Sequence, residues 1–441
     1  MKKLELNDIE WVVESKLDPM GRVFKYNNEY YRAVYPQNVE FVKGLFSNGI
    51  IYKLINDSLL IETNITEFEL PNYGLILHHK KIPFQTYAPD WPKEILRDAA
   101  KVVIKLNQEL LKYNLATIDY HSHNIQLTEN SKPVWIDFGS IVPQERVKLE
   151  WANREFVNYF VNPLILYSKG NELDDLCRHV LLKNEITSEE LAALCGLKIK
   201  IPIDNRKVWL NSIAAWLEEL SLPKKKGAWS DYYKRDNEPF CLPEFGPLNL
   251  EPNTRCGIAY QLLNKYNPRK VLDVGCNAGV FSVLSAEYGA DVCSIDYDEG
   301  ALETFYFALK NDKRNLPISI LKRDITDRKI QKIYPLKAEF VFCLAITHHL
   351  RLTQNCSFNL IAQLFSAYCT NVLVTEFMPN GLGINGEISP NPLPLDYTLE
   401  NFEKAFQRFF NNVYHIEYPQ TSSSKRIFVV CEERNEQNNI L

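Results

Sequence analysis

The chain has 441 residues, which at about 150 residues per domain favours two or three domains and excludes a disulfide-stapled miniprotein. Apolar residues make up 46% and charged residues 24%, an ordinary globular balance that excludes disorder as the main state. The 50 basic and 55 acidic side chains leave a formal net charge of −5, which argues against a broad nucleic-acid-binding surface.

In the N-terminal stretch MKKLELNDIEWVVESK, charges interrupt every apolar run, so no signal peptide is expected. No run of about 18 apolar residues occurs anywhere, so no membrane span is expected and a cytoplasmic location is. Residues 1–90 read as short strands and turns. Phe24-Lys25-Tyr26, Asn27-Asn28 and Tyr30 to Tyr35 form a β-hairpin pattern, with the two Asn supplying positive φ. Residues 92–113 carry Pro92 in the first turn and apolar residues three and four apart, which predicts a helix. None of the 10 Cys falls in C-x-x-C spacing, so reduced, buried thiols are expected rather than zinc knuckles or redox pairs.

Two segments after that helix belong together. Asp119-Tyr120-His121-Ser122-His123-Asn124 places an Asn five residues after an Asp. A strand, the turn Glu129-Asn130-Ser131 and a second strand then deliver Asp137-Phe138-Gly139. D-F-G alone is a chance match, but the paired spacing is not. It resembles the catalytic and metal loops of the protein-kinase-like fold, in small-molecule and sugar kinases of the aminoglycoside-phosphotransferase and polysaccharide-kinase kind. The resemblance implies Asp119 as the base for an acceptor hydroxyl, and Asn124 and Asp137 as ligands of magnesium against ATP phosphates. It covers about 15–220 and is strong only at 117–140. Thr117 stands at the usual His position, residues 18–24 hold one Gly where a phosphate loop has several, and Arg32 is the best stand-in for the third-strand Lys. An active and a degenerate kinase both remain open.

Residues 150–220 read as mostly helical. Leu222 to Asn253, with recurrent Pro and the run Lys224-Lys225-Lys226, reads as a linker. Its segment Trp229-Ser230-Asp231-Tyr232-Tyr233 either covers a ligand or packs on a domain. From about 256 strand-like runs at 270–274, 291–296, 317–324, 339–346 and 371–377 alternate with helical stretches, the rhythm of a parallel sheet. The pair 412–418 and 426–432 closes it as an antiparallel hairpin.

The sharpest motif in this half is Val271-Leu272-Asp273-Val274-Gly275-Cys276-Asn277-Ala278-Gly279, a buried strand entering a Gly-containing turn before a helix. Asp296 ends the next strand, where an acidic side chain can take both hydroxyls of a ribose. Arg323-Asp324-Ile325 ends a third. These residues resemble the class I S-adenosylmethionine-dependent methyltransferases over about 255–432. The resemblance implies that Asp273, Gly275, Asn277 and Gly279 wrap the methionine and adenosine portions, that Asp296 holds the ribose, and that Asp324 and Ile325 meet the adenine. A D-x-G-x-x-x-G turn and an antiparallel last strand speak against a nicotinamide Rossmann domain.

After the fourth strand stand His348 and His349, either of which is a candidate general base. Glu376, at the end of the fifth strand, is a second candidate for substrate contact. The expected architecture is therefore multidomain, α+β then α/β. A kinase-like bilobal domain has an N-lobe at 1–90 and a helical C-lobe at 91–221. A linker at 222–255, a seven-stranded Rossmann-like methyltransferase at 256–435 and a tail at 436–441 follow. The pairing also resembles bacterial fusions, and glycan chain-terminating enzymes that join the two activities in the opposite order, which implies a small-molecule, sugar or polyol acceptor. Three functions stay open: a methyltransferase whose kinase-like half binds or phosphorylates substrate, a bifunctional enzyme that methylates a phosphoryl group it adds, and a methyltransferase whose pseudokinase half docks a partner protein.

Overall fold

The computed structural model describes residues 2–170, 173–183, 185–196, 205–224, 248–382, 392–417 and 426–435. The aromatic segment at 229–233, the TSSSK loop and the tail at 436–441 lie outside them. The chain divides into two compact units, Met1–Leu127 with Lys132–Pro223, and Thr128–Ser131 with Lys224–Leu441. No helix among the described residues is long and apolar enough to cross a membrane.

The first unit opens with a five-stranded antiparallel sheet: β1 (Glu10–Trp11), β2 (Gly21–Tyr26), β3 (Glu29–Val34), β4 (Thr63–Ile65) and β5 (Leu75–His79), in the order β1-β2-β3-β5-β4. Asn27 at φ 49° and Asn28 at φ 65° make the two-residue turn that joins β2 to β3. Alternation along β3 sorts its side chains: Tyr31 and Ala33 join a core cluster with Phe24 and Ile76, and Arg32 goes to the opposite face.

Two helices, α1 (Val39–Ser47) and α2 (Ile50–Asn56), stand between β3 and β4, where the sequence predicted only strands and turns. Their β-branched residues, Gly44 and Asn48-Gly49 are poor helix formers. Burial of Val42, Leu45, Phe46, Ile50, Ile51 and Leu54 along one side outweighs propensity. Next comes α3 (Lys93–Leu111), whose buried stripe includes Ile95, Leu96, Ala99, Ala100, Val103 and Leu110. Short antiparallel pairs follow: β6 (Leu115–Thr117) with β9 (Ile141–Pro143), and β7 (Ile125–Leu127) with β8 (Pro133–Trp135). Helical segments follow within 149–168 and at Asp174–Leu181, Ser188–Cys195 and Arg206–Glu219.

In the second unit seven strands among the described residues form one sheet: β10 (Lys270–Val274), β11 (Asp291–Asp296), β12 (Ile318–Lys322), β13 (Ala338–Cys343), β14 (Cys369–Phe377), β15 (Phe410–Glu417) and β16 (Ile427–Arg434). The order is β12-β11-β10-β13-β14-β16-β15. The first five run parallel, and β16 pairs antiparallel with both β14 and β15. The order reverses at β10, so the carboxyl ends of β10, β11 and β13 flank a switch point where α/β sheets place ligands.

Candidate functional site

In the first unit a cavity of ≈ 700 Å³ is lined by Asp18, Arg32, His79, Asp119, Asn124 and Asp137, among others. All four residues singled out in this half therefore meet at one cavity. Arg32 is 4% exposed and bridges two carboxylates. Its Nη2 donates to Asp137 Oδ1 at 3.1 Å, and its Nη1 pairs with Asp18. Asp137 Oδ1 also accepts the Gly139 N–H at 3.0 Å. A Cβ at Gly139 would meet Arg32 Nη1 and the Asp18 carboxylate, the ends of two side chains that would have to shift to admit it.

The loop bearing Asp119 is pinned from α3. Asn107 Oδ1 accepts the Thr117 N–H at 2.9 Å and the Tyr120 hydroxyl at 2.7 Å. The Thr117 hydroxyl donates to the Asp119 carbonyl at 3.1 Å, so Thr117 steadies the loop from the position where a His was expected. Desolvation holds the Asp119 carboxyl above its ordinary range; His121, with Nε2 4.0 Å away, opposes that rise. Asn124 Nδ2 is buried without a hydrogen-bond partner among the described residues.

In the second unit the turn after β10 is built for positive φ: Gly275 at 77°, Asn277 at 51° and Gly279 at 86°. Gly275 is doubly constrained, because a Cβ there would also strike the Ile346 side chain. The Gly275 and Cys276 N–H groups donate to the Ile295 carbonyl at 2.8 and 3.0 Å. Asp296 takes the Asn277 N–H on Oδ2 at 2.7 Å and the Asp298 N–H on Oδ1 at 2.9 Å. Asp273 Oδ2 accepts the Ser282 hydroxyl at 2.6 Å, and Ser294 donates to Ser282 at 2.7 Å. Burial pushes the Asp273 carboxyl up to about 7 and the Asp296 carboxyl up to about 6. Asp324 is exposed, and its Oδ1 accepts the Thr326 N–H and hydroxyl, both at 2.8 Å.

S-adenosylmethionine fits this arrangement. Two desolvated carboxyls are stabilised in their charged form by a cation, and the molecule carries a sulfonium and an ammonium.

Beyond β13 the chain turns through Ala345 at φ 56° into a short helix, Thr347–Leu352. His348 is 6% exposed, and its Nδ1 has no partner among the described residues. Burial and then His349, Arg426 and Arg255 hold the His348 imidazole well below its usual range, and burial lowers His349 to about 4. Both rings are neutral at physiological pH.

Glu376 is 0% exposed and engaged on both oxygens. Arg255 donates through Nε to Oε1 at 2.7 Å and through Nη2 to Oε2 at 2.8 Å. The Ala345 N–H and Arg426 Nη1 reach Oε2 at 2.8 and 3.3 Å. A substrate contact was expected of Glu376; its partners in the structure are protein groups. Asp18, His79, Arg255, Ala345 and Arg426 escaped sequence reasoning. An Asp beside Pro19 in the expected phosphate-loop segment was the only available signal among them.

No family model matches the chain. Nodulation protein NoeA of Rhizobium meliloti is 23% identical over 392 residues, covering 78% of this chain and 80% of that protein. A ribosomal protein L11 methyltransferase of Ruminiclostridium cellulolyticum is 25% identical over 197 residues, covering 42% of this chain and 61% of that protein. Among solved structures, the bifunctional kinase-methyltransferase WbdD is 18% identical with a TM-score of 0.31, covering 41% of this chain and 40% of that one. The chain thus spans less than two thirds of the last two proteins. The chain is an S-adenosylmethionine-dependent methyltransferase.

Proposed function

We propose that the second unit methylates an oxygen or nitrogen of a small-molecule, sugar or polyol acceptor, and that the first is a kinase-like bilobal fold whose cavity takes a magnesium nucleotide. The observation that carries the first half is the pair of desolvated carboxyls, Asp273 and Asp296, around the Gly275–Gly279 turn. Asp273, Gly275, Asn277 and Gly279 wrap the methionine and adenosine portions, Asp296 takes the ribose hydroxyls, and Asp324 and Ile325 border the adenine. The bound cofactor supplies an already activated methyl group, so the protein's work is mostly alignment. A neutral imidazole, His348 or His349, accepts the acceptor's proton. Glu376 is a positioning residue: it holds the Ala345 turn that carries those imidazoles.

In the first unit Asp119 is the proton acceptor for a hydroxyl, and Arg32 faces phosphate. Asn124 and Asp137 would hold magnesium; Asp137 Oδ1 is engaged and no described donor reaches Oδ2. The convergence of these four residues favours the bifunctional reading, in which the phosphoryl group added is the one methylated. The Arg32–Asp18 pair favours the docking reading, because it occupies the only guanidinium that lines the cavity among the described residues. Mass spectrometry separates them. Full-length protein is incubated with S-adenosylmethionine and a panel of sugars and polyols, with and without magnesium ATP. Methyl gain without ATP supports the simple methyltransferase, and methyl gain only together with phosphoryl gain supports the bifunctional enzyme. No methyl gain on any sugar or polyol under either condition contradicts the acceptor class.

A further inference from the structure

His79 ends β5 and lines the first unit's cavity, yet none of the roles above uses it. It is 8% exposed. Its Nδ1 lies 2.9 Å from Thr63 Oγ1. The Thr63 hydroxyl has one hydrogen, and it donates that hydrogen to the Ile61 carbonyl at 3.0 Å. Thr63 Oγ1 can then only accept from His79, so Nδ1 carries the ring proton. Burial, then Arg32 and His78, hold this imidazole well below its usual range, which keeps it neutral. Its Nε2 is therefore a bare lone pair. That atom is buried and has no hydrogen-bond partner among the described residues. A buried acceptor left unpaired is costly, and natural sites keep such groups where a ligand completes them.

We propose that His79 is a specificity-determining acceptor, selecting a heteroaromatic ligand that presents an amino N–H, as an aminopurine does, over one that presents a carbonyl. The inference rests on the reading of this cavity as a nucleotide site. An amine donates to Nε2. A carbonyl oxygen in the same place sets two acceptors against each other, and the mismatch is worth about a factor of ten or more in affinity. Apolar Val12, Val23, Ile61 and Ile136 also line the cavity, giving a planar base surfaces to pack on while His79 reads its edge.

The test is calorimetric titration of the full chain with adenosine and with inosine, which differ by a 6-amino group against a 6-oxo group. Wild type should bind adenosine at least about tenfold more tightly. His79→Phe should bring the two within about threefold. Thr63→Val, which keeps the shape but frees the ring to change tautomer, should narrow the preference in the same direction and covers the case in which His79→Phe fails to fold. Equal affinity for both nucleosides in wild type, or a full preference kept in the folded variants, overturns the role of His79 alone. Binding of neither nucleoside at millimolar concentration overturns the nucleotide-site reading, and this inference with it.

Discussion

The Ala345 N–H donates to Glu376 Oε2 at 2.8 Å and so holds a non-glycine residue in left-handed backbone, at φ 56°. Such strain persists only where surrounding structure over-determines it. The over-determination here is electrostatic: Glu376 is itself fixed by Arg255 and Arg426, reaching it from the start of the helix Arg255–Tyr266 and from the residue before β16. The strained turn leads directly into His348 and His349.

Replacing Glu376 with Gln should therefore destabilise the protein strongly. It removes the buried charge with which Arg255 and Arg426 both pair, and breaking a buried pair in this way costs about 3–5 kcal/mol. Denaturant unfolding followed by fluorescence reads the loss directly. A change under about 1 kcal/mol would show that the cluster is not the anchor described.

Replacing the base, His348 or His349, by Gln should lower turnover on the true acceptor by about 10²–10⁴ while cofactor affinity stays nearly constant, and full activity in both single variants would leave alignment alone as the mechanism. The pH profile adds a readout that a packing defect would not move. Burial holds both imidazoles below their ordinary range, His349 at about 4, so loss of rate through imidazole protonation belongs well below pH 6.5. An acid limb centred near pH 6.5 would point to an exposed histidine elsewhere.

In the first unit Asp18 already pairs with Arg32, so on the proposed nucleotide reading it competes with phosphate for that guanidinium. Asp18→Asn should raise the affinity for magnesium ATP severalfold, and Asp137→Asn should remove the magnesium dependence of the thermal shift. If neither substitution alters the shift, Arg32 and Asp137 do not face the phosphates.

The placement of the candidate site residues was legible where their motifs are local. Asp119 to Asn124, Asp137 to Gly139 and Asp273 to Gly279 each lie within one strand-turn unit, where spacing fixes geometry. The engagement of Glu376 was not legible, because its partner Arg255 lies 121 residues away and nothing local marks a carboxylate as already engaged. Arg32 and Asp137 are 105 residues apart, so their pairing belongs to the fold rather than to either motif. His79 carries no motif at all; its importance comes from a cross-strand neighbour, Thr63, whose only hydrogen is already spent. The helices of 39–56 were hidden because their propensity is poor and their burial is tertiary.

The raised carboxyls also set a pH dependence. Asp273 and Asp296 have folded values of about 7 and about 6, above the ordinary 3.8, so the folded protein binds more protons than the unfolded chain between those limits. Their contribution to stability is present below pH 3.8 and is lost as pH rises through 6 and 7. Affinity for S-adenosylmethionine should run the other way, rising between pH 5 and 8 as the carboxylates ionise. Melting scans with and without the cofactor across that range should therefore diverge. A cofactor shift that is flat or falls with pH would remove the charge-pairing argument.

The central claim is that Asp296 and the Gly275–Gly279 turn hold S-adenosylmethionine, and calorimetric titration of the full chain tests it most directly. Wild type should bind the cofactor saturably with one site. Asp296→Ala should weaken binding by about 2–3 kcal/mol, roughly a 30- to 150-fold rise in Kd, as hydrogen bonds from two ribose hydroxyls to a charged carboxylate are lost. An unchanged Kd in the folded variant, or no binding by wild type, would contradict the account.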